Sequence, residues 1–177
     1  MISMKFKRFL KSYSLLHAPK LLLIFSLCLE ALVPPIPGII DFMPLLLMMI
    51  AFYWSIYHPE RLPYPFLFFI GFFQDIIFDE MLGLSSFILI VFSVLLRRTQ
   101  KKLIHRGFLT LWCVFCLLIM AFEALRLLIS AFSSPYVYML ETVLMQGIIS
   151  AACYPCIHFL CSGILTIEHD NKRRYAK

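Results

Sequence analysis

Two Cys-x-x-Cys pairs, Cys113 with Cys116 and Cys153 with Cys156, are the first residues in this chain whose spacing could carry chemistry. Four thiolates would suit a tetrahedral zinc site, and Cys153-Tyr154-Pro155-Cys156 has the form of a redox dipeptide motif. Each pair, however, lies within an apolar run. On a helix the i, i+3 spacing puts two thiols on one face as small hydrophobic groups. A redox pair needs a strand-to-helix turn, and a zinc site needs polar groups to orient its ligands. The cysteines therefore read as inert, with His158 and Cys161 as the nearby groups a metal would recruit. No metal and no cofactor is expected.

Asp75 is the more informative residue. It lies inside Phe68-Phe69-Ile70-Gly71-Phe72-Phe73-Gln74-Asp75-Ile76-Ile77-Phe78, where a lipid-facing carboxylate would cost about 2.5 to 3.5 kcal/mol. It is expected to face protein or water. Gln74 and Asp75 together could form an ion or proton site, or Asp75 could bind neighbouring helix termini. Leu82-Gly83-Leu84-Ser85-Ser86 follows, with small residues that permit close helix approach. Glu123 and Arg126 stand three apart, the spacing for a pair on one helix face, packed inward or serving a ligand or partner. Glu30 and Glu141 have no partner nearby in sequence; each lies near an interface, pairs between helices or is protonated. No Ser-His-Asp order, phosphate-cradling glycine loop or paired carboxylates with a nucleophile stands out, so no catalytic residues are expected.

The elements that must position these groups are membrane helices. Hydrophobic residues make up 62% of the 177-residue chain and charged residues 15%, which excludes a soluble globular fold. The net charge of +6 does not form a nucleic-acid patch. It recurs in clusters between apolar runs: Lys5 to Lys20, Arg97 to Arg106, and Lys172 to Lys177. These clusters set cytoplasmic sides and meet anionic lipids.

Six apolar runs are predicted, at about Pro19–Val33, Phe42–Tyr57, Tyr64–Phe78, Leu82–Leu96, Phe108–Phe132 and Tyr138–Ile167. Pro44 opens the second run and Pro155 interrupts the sixth. The third and fourth reach only about 22 Å each against a hydrocarbon core of about 30 Å. If the third turned back, the Arg97–Arg106 cluster would fall outside, against the positive-inside tendency; it must therefore span. The organisation is a basic cytoplasmic segment over 1–18, a six-helix transmembrane domain over 19–167 and a basic cytoplasmic tail over 168–177.

Pro44, Tyr53-Trp54, Gly71-Phe-Phe-Gln-Asp75, Leu82-Gly83-Leu-Ser-Ser86 and Pro155 together resemble the MreD family of bacterial rod shape-determining proteins. The resemblance covers most of the chain. It implies a non-enzymatic subunit of the cell-wall elongation complex in the inner membrane, with MreC as direct partner. MreB, RodA and a class B penicillin-binding transpeptidase would belong to the wider assembly. It also implies a fold similar to the substrate-binding components of energy-coupling-factor transporters. Pro44, Trp54, Gly71, Gln74, Asp75, Leu82, Gly83, Glu123, Arg126 and Pro155 are the candidate structural or partner-binding residues. The alternatives are a solute-binding transporter component, suggested by the inward polar groups, and a membrane enzyme acting on lipid-linked precursors.

Overall fold

The shortest helix is the one its neighbours surround. In the computed structural model, which describes residues 2–32, 44–78, 81–133 and 140–175, with side chains over 17–32, 44–78, 81–128 and 144–166, the described residues form six α-helices and one 3-10 turn. α1 is Ile2–Leu32, α2 Leu46–Tyr57, α3 Tyr64–Ile77, α4 Leu84–Ile104, α5 Phe108–Ser133 and α6 Leu140–Tyr175, with the 3-10 turn Pro59–Arg61 between α2 and α3. Every residue of α2 from Leu47 to Ile56 is buried. An all-apolar circumference is stable only when covered on all sides, and α1, α4 and α6 pack against α2 to do this. α5 closes the remaining side through Phe115, which stacks on Tyr154 of α6 at 4.4 Å and meets Phe52 of α2 edge-on at 5.2 Å.

The remaining helices pair as hairpins, α3 with α4 and α5 with α6. In α5–α6, Trp112 Nε1 donates to the Ala151 carbonyl at 2.9 Å. Gly147 brings the backbone of α6 to the side chain of Met120. The apolar stretches Phe108–Leu128 and Leu144–Thr166 are long enough to cross a membrane, at 21 and 23 residues. α2 and α3 have only 12 and 14 residues, about 18 and 21 Å.

Helix boundaries differ from the sequence expectation in α1, α2, α4 and α6. α1 starts at Ile2, so Pro19 is inside a helix, where it is buried. α4 continues past Leu96 to Ile104, and α6 past Ile167 to Tyr175. The physical reason in α4 is plain: Arg97 to Leu103 contains strong helix formers, and the first Gly is Gly107. Charge places these residues outside the apolar span but does not end the helix. Pro44 does not open the helix as expected: it precedes α2 by two residues, where its carbonyl instead accepts from Leu46 N at 2.8 Å in a tight turn. Asp41, Asp79, Glu80 and the side chain of Glu141 lie outside the described residues.

Candidate functional site

The α3–α4 seam begins with a missing side chain. A Cβ on Gly71 would sit 2.6 Å from Ser86 N and 2.7 Å from Ser86 Cα, so only glycine permits this backbone approach. Ser86 Oγ uses the proximity to donate to the Phe68 carbonyl at 2.8 Å. One turn beyond Gly71, Asp75 is fully buried and reaches across to the start of α4. Its Oδ2 accepts from Gly83 N at 2.7 Å and its Oδ1 from Ser85 N at 3.1 Å. α4 has no cap from its own Gly83, which stands at φ +92° where glycine is favoured. The carboxylate of α3 therefore satisfies amides that hydrocarbon would leave unpaired, and its charge complements the helix dipole.

The same device recurs at α2, whose N-cap Leu45 supplies no side-chain bond. Glu30 of α1 is buried and its Oε1 accepts from Leu47 N at 3.1 Å, while Ser150 Oγ of α6 accepts from Leu45 N at 3.0 Å. α2 and α4 thus each begin against a carboxylate from the preceding helix, whereas α3, also without a side-chain cap, begins at Pro63. In the α5–α6 hairpin, Glu123 is buried and pairs with Arg126 at 3.5 Å, and Arg126 Nη1 donates to Gln146 Oε1 of α6 at 3.4 Å.

The opposite end of α3–α4 is held by Arg97. Its Nε donates to Ser93 Oγ at 3.1 Å, an Nη donates to the Leu62 carbonyl, and the guanidinium lies 4.1 Å over the Tyr64 ring. Ser93 Oγ in turn accepts from Ser55 of α2 at 3.2 Å. Ser55 and Ser93 border a cavity of about 20 Å³ between α2, α4 and α5, lined mainly by Ala51, Phe52, Phe92, Leu96, Phe115 and Leu118. That volume holds about one water. In the adjoining turn, His58 Nδ1 lies 2.9 Å from Glu60 Oε1. Burial raises the Glu60 carboxyl, but its own backbone amide, His58 and Arg61 outweigh this and hold it below the ordinary carboxylate range.

Gly71, Asp75 and Gly83 therefore meet at one seam, and Glu123 meets Arg126. Trp54 is fully buried in α2, Gln74 is buried beside Asp75, and Pro155 is half-buried inside α6. Leu82 is brought into neither seam; it is 67% exposed. The cysteines are free thiols in different surroundings, Cys113 and Cys156 exposed and Cys161 buried. Among the described residues no group of three His, Cys, Asp or Glu side chains is placed to hold a metal. The sequence offered no partner for Glu30, and it left Ser150 and the anchoring role of Arg97 undetected, while Ser86 lies in the small-residue motif expected to permit close approach. Ser93 four residues before Arg97 was the available signal for that anchor.

A family model described as rod shape-determining protein MreD matches residues 11–164. The chain belongs to the MreD family. No curated protein and no solved structure matches it. The matched range takes in both carboxylate-capped helices of this MreD chain, the Gly71–Ser86 contact and the Arg97 anchor. MreD proteins are membrane proteins of rod-shape determination, and here the described residues include two helices of full spanning length.

Proposed function

We propose that this MreD chain is a non-enzymatic, multi-pass subunit of the cell-wall elongation complex, a rigid membrane scaffold that binds MreC and supports rod shape and peptidoglycan synthesis. The match to the MreD family over residues 11–164 carries this reading. Both termini and the Arg97–Arg106 segment are cytoplasmic in it, following the basic clusters, which face anionic lipid. MreB, RodA and a class B penicillin-binding transpeptidase belong to the wider assembly.

Physical support comes from where the polar groups are spent. Asp75, Glu30 and Arg97 are engaged by backbone or side chains of this chain, which suits groups that fix helices in place. Site-specific photocrosslinkers along the exposed face of α3 and α4, at Phe69, Phe73 and Phe87, should capture MreC in cells. Depletion of the protein in its rod-shaped host should give round cells. Retained rod shape after verified depletion overturns the reading.

A further inference from the structure

Two neighbouring helices carry opposite chemistry at the same level of the bundle. α4 passes the inner end of α3 at Arg97, which is tied to Leu62 and Tyr64, and then continues for seven more residues, about 10 Å. Along those turns Arg98, Lys101 and Lys102 are exposed at i, i+3 and i+4, one continuous cationic ridge, with the exposed His105 at i+7. The chain then turns through Gly107 into α5, whose first residues Phe108 and Leu109 are exposed and apolar. A flat membrane surface cannot satisfy both. Set at the level of Arg97, it would leave Phe108 and Leu109 in water; set at the start of α5, it would put the cations against hydrocarbon.

We propose that the exposed ridge of α4 is a binding site for anionic phospholipid, whose phosphates descend along Arg98, Lys101 and Lys102 while acyl chains keep full height against α5. The inner leaflet is dished on the α4 side. The short apolar length of α3, about 21 Å, requires the same depression on the adjoining flank. Each Lys or Arg at an anionic surface strengthens attraction severalfold, and three on one helical face act together. This inference rests on the cytoplasmic placement of the α4–α5 turn made under the proposed function.

The test uses the full chain in detergent and in nanodiscs. Native mass spectrometry during titration with phosphatidylglycerol or phosphatidylcholine should show anionic lipid retained preferentially. The triple variant R98Q/K101Q/K102Q, altered only at exposed positions, should lose that preference by about tenfold or more. An unchanged preference overturns the site. Depth is read separately with Leu95→Trp, one turn above the ridge and exposed. After subtraction of the signal from Trp54 and Trp112 in the parent chain, its fluorescence should be quenched more by phosphatidylglycerol brominated near the headgroup than by the same lipid brominated near the chain end; the reverse order overturns the dished leaflet. Arg106→Cys, in a chain whose six native cysteines are replaced by alanine, should resist an impermeant maleimide in intact spheroplasts. Labelling from outside would refute the topology itself, whichever lipid result is obtained.

Discussion

At the scale of single residues, Gly71 and Asp75 do different work on one seam, and their substitutions should differ in kind. Asp75→Ala removes the acceptor for two amides, Gly83 N and Ser85 N, at a cost of about 2 to 4 kcal/mol when each buried donor is worth about 1 to 2. Asp75→Asn keeps one acceptor oxygen but turns an NH₂ toward the other amide, so it should lose about half as much. Thermal unfolding of the purified protein, with the yield of folded protein by size exclusion, checks both. Normal stability of Asp75→Asn together with lost rod-shape function would instead restore a proton or ion role for the carboxyl. Gly71→Ala meets backbone atoms, which cannot move without separating α3 from α4, and should cost about 3 kcal/mol or more. Combined with Asp75→Ala it should add less than its full cost, because both changes open the same contact. Gly83→Ala has open space around its Cβ and suffers only from its positive φ, about 1 to 2 kcal/mol.

At the scale of elements, the determining fact is that α2 and α4 do not cap themselves. Glu30→Ala should destabilise the protein by about 1 to 3 kcal/mol by leaving the Leu47 amide unpaired, whereas Glu30→Gln, with a carbonyl oxygen to offer, should recover most of that loss; chemical denaturation in mixed micelles distinguishes them. How far such pairs were legible depended on distance along the chain. Asp75 and its targets are 8 and 10 residues apart within one hairpin, and a carboxylate in an apolar run beside Gly-Leu-Ser-Ser already announced an inward contact. Glu30 finds Leu47 17 residues on, and Ser150 reaches Leu45 from 105 residues away, so no spacing rule connects them. Helix starts at Tyr64 and Phe108 were readable because Pro63 and Gly107 precede them. The ends of α4 and α6 were not, because apolarity tracks membrane depth while hydrogen bonding continues through Arg, Lys and Gln. The Arg97 anchor escaped for a related reason: a cation in a basic cluster reads as a topology signal, and only the fold brings it to Leu62 and Tyr64. Arg97→Lys should keep the topology but forfeit the forked contact and the ring stacking, lowering the unfolding midpoint by several degrees.

At the scale of the whole molecule, the bundle presents two hydrophobic heights to one bilayer. The apolar stretches of α5 and α6, at 21 and 23 residues, correspond to about 31 and 34 Å, while α3 offers about 21 Å and exposes Phe68, Phe69, Phe73, Ile76 and Ile77 along it. The central helix α2 escapes the conflict because protein covers it from Leu47 to Ile56. α3 does not. A bilayer matched to α5 and α6 exceeds α3 by about 10 to 13 Å, and a penalty of fractions of a kcal/mol per Å makes the mismatch worth a few kcal/mol. Thickening the membrane worsens the fit of α3 and drives the cationic end of α4 toward hydrocarbon, whereas modest thinning is absorbed by tilting α5 and α6. The unfolding midpoint in phosphatidylcholine nanodiscs should therefore be higher with 14- or 16-carbon chains than with 22-carbon chains. A midpoint rising steadily with chain length would mean that the long hairpin α5–α6 alone sets the fit to the membrane and that the exposed flank of α3 bears no lipid load. The contrast should shrink when MreC is bound if MreC covers α3, since a covered helix, like α2, no longer has to match the bilayer.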